Sequence, residues 1–558
     1  MRGLWRKGIC VAVASLLGAT AHAQTASDTL ERTVPERQNS EHAPLPAETA
    51  PPASPLRAMG DARRKVMVES IGVVGSTAFT EAEFAPLYAD LVGRQVTVGE
   101  LQSLAQSVRN LYRDAGYVFT RTAVSVSQSG SVEVRVIEAK VGRITVEEPE
   151  GPIGPVKRLL ERMADRFSGR LNPTLDDLER MLLIMNDVPG ITRATAVPRP
   201  GRSVGEVDLY INVERDPVSG AVFADNRQSP VTGRGAFGVQ VNVDGYTAGA
   251  DATEFTFVNS FGRDFDDLEE RHIGQIAHQR NFGAGGLIGK ARVRYGQTRP
   301  GNVLAPLDLE GRQFEAEVGL EYPLKRTRGL SLWVNGGLEY RNVENDVLGG
   351  AATLSEDRLR VITLGGRMLQ RDSRGYTEGS IEVRQGMNML DASDNAPLSR
   401  FDGEADFTAV RLEIARDLQL VHGFSLFAEG AGQLASGPLL ASEEFSAGGL
   451  SFGRGFDPSE MTGDHGIGGS LELRYTSQVR MQGQQAGYQL YGFADAAKVF
   501  NADKGQPDED DLASVGGGLR LNLPRDVQVA GEVAVPLQDL KRNNEQEVLF
   551  LFNILKRF

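Results

Sequence analysis

The chain has 558 residues, a formal net charge of −14 at pH 7, 64 glycines and a single cysteine. This acidic balance argues against a nucleic-acid partner, because nucleic-acid binding requires a basic surface. Cys10, the single cysteine, lies in a predicted export signal. The exported chain therefore has no disulfide, no thiolate metal ligand and no cysteine nucleophile.

Residues 1–23 have the pattern of a cleaved secretory signal peptide. Basic residues open the segment, an apolar run follows, and Ala21-His22-Ala23 suits cleavage before Gln24. The apolar run is too short to span a bilayer as a helix, although a retained anchor is the alternative. Because no later segment approaches an 18-residue apolar run, no transmembrane helix is predicted.

Residues 24–62 are predicted to form a linker, because prolines recur among Ala, Glu, Ser and Thr and few residues are apolar. The stretch 27–41 is a candidate for a short plug helix. Pro35 lies inside that stretch and disfavours a continuous helix. Helical and irregular structure both stay open there.

Residues 63–140 and 141–216 are predicted to be two copies of one small α+β domain. In each copy the order of elements is strand, helix, helix, strand, strand, and the order returns about 75 residues later. A short string also recurs, Thr122-Ala123-Val124 in the first copy and Thr195-Ala196-Val197 in the second. A chance repeat of the whole order is less probable than a duplicated domain.

The first copy has the clearest local signals. One strand is predicted over 66–74, and a helix over 80–91 begins with Thr80 and Glu83 placed as a capping box. Pro86 is expected to kink or shorten that helix. The second helix has its apolar residues on one face at helical spacing, namely Leu101, Leu104, Ala105, Val108, Leu111 and Tyr112.

Residues 217–558 are predicted to form a transmembrane antiparallel β-barrel of about 16 strands. The chain alternates between apolar and polar residues in segments of roughly 10–14 residues, separated by turn-forming residues. In the segment 311–323, for example, apolar residues alternate with Glu315, Glu317 and Glu321. Strands of soluble sheets run about 5–6 residues. The greater length here favours strands that cross a bilayer over a soluble sandwich.

A search for catalytic patterns predicts no enzyme, no metal site and no cofactor. His272 and His278 share a predicted strand, but about 20 Å separates them along it, too far for one ion. No phosphate-binding loop or HExxH motif occurs. Ser451 lies in a GxSxG string, but the strand before it and the helix after it that a nucleophile elbow requires are missing.

The stretch 436–466 is predicted to be the sixth extracellular loop, between the eleventh and twelfth strands. It contains the run Gly453, Arg454, Gly455, Phe456, Asp457 and Pro458. In the thirteenth strand, Asp495 and Phe493 are expected to face the lumen, because an acid facing lipid is costly. Arg454 and Asp495 can then pair inside the pore. The alternative is a solvated Arg454, with Asp495 paired to a neighbouring strand.

The chain after the signal resembles the TpsB transporters of two-partner secretion, the haemolysin and filamentous-haemagglutinin exporters of the BamA-like superfamily. The two α+β repeats resemble the paired POTRA domains of that family, and residues 225–234 resemble the start of its barrel. The run 453–460 is similar to its VRGY/F loop motif, and Phe493-Ala494-Asp495 to its FxDxG strand motif. Two positions depart from these patterns, with Gly453 in place of Val and Ala497 in place of the final Gly.

This resemblance implies an outer-membrane transporter of a Gram-negative bacterium, with its POTRA domains in the periplasm. The implied cargo is a large secreted exoprotein, whose unfolded N-terminal secretion domain binds the POTRA pair and crosses the barrel without ATP. Outer-membrane lipid surrounds the barrel, and the terminal Phe558 resembles the signal read by the barrel-assembly machinery. An N-terminal helix and the sixth loop would close the resting pore. A barrel-assembly insertase of the BamA or TamA kind is the first alternative, and a passive porin the second.

Overall fold

The computed structural model describes residues 62–149, 151–261, 271–395, 397–450, 452–481, 483–502, 509–538 and 548–558. The predicted signal peptide, the linker up to residue 61 with its candidate plug helix, and Ser451 lie outside the described residues.

The first repeat contains five strands and two helices. They are β1 (Lys65–Met67), β2 (Ser70–Val74), α1 (Glu81–Tyr88), β3 (Gln95–Thr97), α2 (Val98–Asp114), β4 (Arg121–Val126) and β5 (Ser131–Ile137). Strands β2, β5 and β4 form a sheet in that order, with β2 parallel to β5. The prediction of one strand over 66–74 is wrong. The chain changes partners there, since Val68 donates to the Arg94 carbonyl and Glu69 to that of Gly130.

The helices of this repeat begin at matching caps. Glu83 accepts a hydrogen bond from the Thr80 backbone at 2.8 Å, and Glu100 accepts one from Thr97 at 2.6 Å. Helix α1 ends two residues after Pro86 and continues as a 3-10 turn, so the proline shortens it as predicted. Helix α2 buries most of its predicted apolar face against the sheet.

The second repeat has the same order of its main elements. They are β6 (Lys140–Glu147), α3 (Lys157–Asp165), α4 (Leu175–Asn186), β7 (Ile191–Pro200) and β8 (Glu206–Arg215). The sheet order is β6, β8, β7, with β6 parallel to β8. Phe119 of the first repeat is buried in the apolar core of the second. The two repeats therefore share part of their packing.

Glu138 joins the two repeats through a cluster of hydrogen bonds. Its carboxylate accepts from the Thr77 backbone at 2.7 Å, the Tyr112 hydroxyl at 2.8 Å and Asn172 Nδ2 of the second repeat at 2.6 Å. Burial alone would raise the pKa of Glu138, but these hydrogen bonds outweigh it and lower the pKa to about 2. The carboxylate is therefore charged at neutral pH and holds the junction.

Sixteen antiparallel strands form a closed barrel, which confirms the predicted fold class. With two short strands inside one loop, the remaining elements are β9 (Val218–Asp225), β10 (Gly235–Asp244), β11 (Ala252–Phe261), β12 (Arg271–Asn281), β13 (Ile288–Thr298), β14 (Glu310–Arg326), β15 (Leu330–Val347), β16 (Ala352–Asp372), β17 (Gly375–Gly386), β18 (Thr408–Gln419), β19 (Phe424–Ala435), β20 (Phe445–Ala447), β21 (Met461–Gly463), β22 (His465–Met481), β23 (Gln484–Phe500), β24 (Glu509–Leu523), β25 (Val527–Pro536) and β26 (Leu549–Arg557). Strand β26 pairs with β9 and closes the ring, while β20 and β21 pair with each other and are not part of the wall.

The barrel wall has an apolar outside and a polar inside. On β14, Phe314, Val318 and Leu320 are 39%, 54% and 53% exposed, while Glu315 between them is buried. Strands β14 to β16 have 17, 18 and 21 residues, longer than predicted. A tilted crossing takes about 9–11 residues, so these strands extend beyond the bilayer. Among the described residues, no helix is both long and apolar enough to cross a membrane.

The second repeat is fixed to the periplasmic turn between β14 and β15. Asp187, just after α4, accepts two hydrogen bonds from Arg326, at 2.9 and 2.6 Å. Glu179 of α4 pairs with Arg328 of the turn at 3.0 Å. The Arg326 guanidinium also lies 5.1 Å from the ring centre of Trp333 on the inner wall. The junction therefore combines paired charges with an aromatic contact.

Candidate functional site: the sixth loop in the pore

The sixth extracellular loop connects β19 to β22 and folds into the lumen. Strands β20 and β21 pair inside it, with Phe445 opposite Gly463 and Ala447 opposite Met461. The segment that connects these two strands carries Arg454, which is only 5% exposed although it belongs to a loop. A buried guanidinium requires partners, and the barrel wall supplies them.

Arg454 contacts three acids on three strands. Its Nε lies 2.8 Å from Asp495 Oδ2 on β23, and its Nη1 lies 2.6 Å from Glu472 Oε1 on β22. Glu532 Oε2 on β25 is 3.5 Å from Nη1, and Nη2 donates to Ser470 Oγ at 2.9 Å. All three acids are buried. The loop cation therefore lies in an acidic socket formed by the wall.

Phe493 and the loop backbone complete this socket. The guanidinium lies 3.5 Å from the centre of the Phe493 ring, which is a cation–π contact. Asp495 also accepts from the Gly453 N–H at 3.0 Å and from the Ser514 hydroxyl. The structure thus brings Arg454, Phe493 and Asp495 together inside the pore. It does not have the alternative arrangement, in which Arg454 is solvated.

Two glycines beside Arg454 allow the close approach. Gly453 has φ +93°, and a Cβ there would lie 2.3 Å from Leu512 Cδ1. A Cβ on Gly455 would lie 2.6 Å from the backbone nitrogen of Pro536. Leu512 therefore fills the space that a valine at 453 would need. Ala497, the second departure from the family pattern, packs in the same buried cluster as Phe452 and Leu512.

The rest of the motif makes different contacts. Phe456 is half-buried against that same cluster. Asp457 accepts from Arg234 Nη1 of the first extracellular loop at 2.8 Å. Pro458 lies beside Gly449 within the sixth loop. Asp457 and Pro458 therefore hold the loop to its neighbour and to itself, whereas Arg454 and Phe456 contact the wall.

Sequence reasoning did not connect Glu472, Glu532, Ser470 or Ser514 with Arg454. Glu472 and Glu532 do alternate with apolar residues that face outward, so the strand pattern places both on the inner face. That pattern could have nominated them as lumenal acids. It could not have paired them with the loop, because that pairing depends on the register of the four strands β22 to β25.

The histidines have separate surroundings. His272 lies against Asn259 at 2.6 Å, and His278 lies 3.1 Å from Thr253 and 3.4 Å from Asp251. In the part of the chain that the structure describes, no group of three or more His, Cys, Asp or Glu side chains is arranged to hold a metal ion.

A sequence profile described as haemolysin secretion/activation protein ShlB/FhaC/HecB matches residues 205–521, more than half of the chain. The chain belongs to this family. A second profile, for the POTRA domain of ShlB type, matches residues 66–139. The chain is thus an outer-membrane transporter of two-partner secretion, with POTRA domains in the periplasm. The predicted family, function and location are confirmed.

Relatives of this transporter are distant in sequence but extensive in coverage. The heme/hemopexin transporter protein HuxB of Haemophilus influenzae is 23% identical over 501 residues, covering 85% of this chain and 84% of that protein. The outer membrane transporter CdiB of Dickeya dadantii is 22% identical over 456 residues, covering 79% and 77%. The family to which the chain belongs is one of secretion transporters.

Solved structures show the same fold. CdiB from Escherichia coli matches with a TM-score of 0.75 and 18% identity, over 97% of this chain and 98% of that one. BamA from Haemophilus ducreyi, lacking POTRA domains 1–3, matches with a TM-score of 0.51 and 14% identity, over 88% and 100%. The likeness to BamA concerns the fold alone and does not support the insertase alternative.

Proposed function

We propose that this transporter binds the unfolded N-terminal secretion domain of one large exoprotein and passes it through the barrel once the sixth loop leaves the lumen. The observation that carries the proposal is the buried contact of Arg454 with Asp495, Glu472 and Glu532. That contact places the loop inside the pore that the exoprotein must cross. In this role Arg454 and Asp495 hold the closed state, and Phe493 and the flanking glycines support them.

The substrate-binding surface that we propose is the open edge of β4, beside helix α2. In the described structure β4 pairs only with β5 and β7 only with β8, so both are edge strands. Strand β7 contains Pro198 and Pro200, which have no N–H for a further strand. Strand β4 contains no proline, so an extended segment can add to it by β-augmentation.

Export without ATP would draw on folding of the exoprotein outside the cell, because folded chain cannot slip back through the pore. An exoprotein variant unable to fold should therefore leave the cell more slowly. Secretion of that variant at the normal rate would contradict this source of energy. The outward apolar side chains would contact outer-membrane lipid, and the barrel-assembly machinery would insert the barrel, with Phe558 in its signal.

The test of the function is a paired proteome of culture supernatant and outer membrane, with and without this gene. Loss of one large secreted protein, with other barrels unchanged, is the expected result and names the cargo. A broad fall in outer-membrane barrels would instead indicate an assembly factor and overturn the proposal.

The binding edge has its own test, a photo-crosslinking amino acid placed in the full-length transporter. Ser125 is exposed on β4, and Val74 is exposed on β2 at the opposite edge of the same sheet. We expect the Ser125 position to capture the exoprotein and the Val74 position to serve as the matched control. Equal capture at both positions, or capture at Val74 alone, would contradict binding at β4.

A further inference from the structure

The sixth loop carries a second buried charge, well before the motif around Arg454. Glu443 ends a 3-10 turn that follows β19, and its side chain is 0% exposed. Its carboxylate accepts two hydrogen bonds from Arg384 of β17, both at 2.8 Å. Arg341 of β15 lies 3.3 Å away and Arg411 of β18 lies 3.2 Å away. One loop acid therefore contacts three wall arginines.

Further side chains of the barrel wall contact Glu443 or its arginine partners. Arg411 Nη2 also donates to the Glu443 backbone carbonyl at 3.1 Å, and Gln433 Nε2 donates to the same carbonyl at 2.8 Å. The wall acid Glu339 lies 2.8 Å from Arg384 and 2.6 Å from Arg341, so it offsets part of their positive charge. Both the charge and the backbone of the loop are therefore recognised at this point.

Apolar packing fixes the same part of the loop. Leu439 and Leu440 precede the 3-10 turn and are both 0% exposed. They lie in a buried cluster with Leu359 of β16 and Phe407, which precedes β18. None of these contacts involves Arg454. The first half of the loop is thus docked by interactions of its own.

The two docked charges are opposite in sign and use different stretches of the wall. Glu443 is held by arginines of β15, β17 and β18, whereas Arg454 is held by acids of β22, β23 and β25. Moving either charge into the other socket would bring like charges together. The two sockets therefore also define the direction in which the loop crosses the lumen.

We propose that Glu443 is a second anchor of the sixth loop and a positioning residue for the closed pore, holding the first half of the loop independently of Arg454. The loop then has two separable docking points, and release at Arg454 leaves residues 439–443 in place. The consequence for secretion rests on the proposed exit of the loop from the lumen. The anchor itself does not, and it can be measured without any exoprotein.

The experiment labels single cysteines in the full-length transporter on intact cells with a membrane-impermeant maleimide. Ser442→Cys reports the first half of the loop, and Ser459→Cys reports the second half, where Ser459 is buried. The parent chain, whose only cysteine is Cys10, gives the background. We expect Glu443→Gln to raise the labelling rate at 442 by about tenfold and to leave the rate at 459 within about twofold. Arg454→Gln should have the reverse effect.

Glu382→Gln is the matched control. Glu382 pairs with Arg384 at 3.1 Å, but it belongs to β17 and forms no hydrogen bond or ion pair with the loop among the described residues, so both rates should stay at the parental value. Equal acceleration of both reporters by Glu443→Gln would show one cooperative loop and overturn the second anchor. An unchanged rate at 442 would overturn it as well.

Folding of each variant is checked by its heat-modifiable migration and surface abundance. Should Glu443→Gln fail to insert, Arg411→Gln removes one of the three wall partners and leaves the buried acid in place. It should accelerate labelling at 442 by a smaller factor, and no acceleration would count against the anchor. Altered labelling with unaltered secretion would keep the anchor but contradict the proposed exit of the loop.

Discussion

Replacing Arg454 with alanine tests the closed state most directly. Without the guanidinium, Glu472 keeps Arg474 at 2.6 Å and Arg520 at 3.1 Å. Asp495 has no second cation within 4 Å among the described residues and keeps only hydrogen bonds from the backbone N–H groups of residues 453 and 454 and from a serine hydroxyl. The substitution therefore leaves one buried carboxylate without its counter-charge.

The magnitude follows from that loss. Breaking a buried ion pair by removing one partner costs about 3–5 kcal/mol. The lower end applies here, because two of the three acids retain other partners. A loss of about 3 kcal/mol shifts the balance between docked and undocked loop by about two orders of magnitude. The barrel itself should persist, because each wall strand remains paired with two neighbours.

The assays are single-channel conductance in planar bilayers and secretion of the exoprotein by cells. The Arg454→Ala channel should open more often in the bilayer. Cells that carry this variant should secrete less exoprotein, although the variant reaches the outer membrane at normal abundance. Arg520→Ala is the matched control, because Arg520 pairs with the same Glu472 but belongs to β24. Normal export by Arg454→Ala at normal abundance would remove the motif from the mechanism. An equal effect of Arg520→Ala would attribute the change to the wall.

Asp495→Arg addresses the same pair from the wall. It would bring two like charges together in the lumen, so it should lower secretion as strongly as Arg454→Ala. The measurement is again secretion at matched abundance, with Asp511→Arg, an exposed acid near the start of β24, as the control. Wild-type secretion by Asp495→Arg would refute the pairing.

Three further changes test other contacts. Glu138→Gln should loosen the junction of the two repeats by about 1 kcal/mol after allowance for solvent around this partly buried carboxylate. Because its pKa is lowered to about 2, the wild-type junction should keep its full stability above the ordinary value near 4.5 and lose it as pH falls towards 2. Asp187→Ala should remove the ion pair with Arg326 and weaken the contact of the second repeat with the barrel by about 1–3 kcal/mol. Gly453→Val should destabilise the docked loop by about 2–4 kcal/mol, because the backbone at 453 has a positive φ and the valine side chain would overlap Leu512. A second substitution, Leu512→Ala, should relieve the overlap but not the backbone strain.

Hydrogen exchange of the full-length protein measures the first two changes, and maleimide labelling of the loop measures the third. Glu138→Gln should accelerate exchange at the Asn172 and Leu175 amides, which donate to carbonyls of the first repeat. Exchange at these two amides of Glu138→Gln that stays slow at pH 7 would contradict the role of Glu138 in joining the repeats. Asp176→Ala, on the exposed start of α4, should leave the barrel contact unchanged. Unaltered labelling in Gly453→Val would refute the steric account.

The barrel was predictable because its signal is local. Phe314 and Leu320 face lipid and Glu315 faces the lumen as a direct result of the two-residue period of a strand. The break near Val68 was not predictable, because it arises from hydrogen bonds to the distant residues Arg94 and Gly130. The local sequence pattern predicts which face of a strand a residue occupies, but not which distant residue it contacts.

In the candidate site, too, the residues with a local signal were predictable and the contacts between distant residues were not. Arg454, Phe493 and Asp495 were nominated from motif and strand face, and the structure brings them together. The socket around Glu443 was missed, because its arginines come from three strands far apart in the sequence and an acid in a polar loop carries no local sign of burial. Only closure of the barrel brings these groups together.

The contact between the second repeat and the barrel supplies an intrinsic optical probe. The chain has two tryptophans, Trp5 and Trp333, and removal of residues 1–23 would leave Trp333 as the sole indole. Its ring centre lies 3.9 Å from the guanidinium of Arg367 and 5.1 Å from that of Arg326, which donates to Asp187 of the second repeat. Any hinge motion at this junction changes the environment of that indole. The tryptophan fluorescence of the unlabelled transporter should therefore report, in real time, whether the second repeat stays in contact with the barrel when the exoprotein binds.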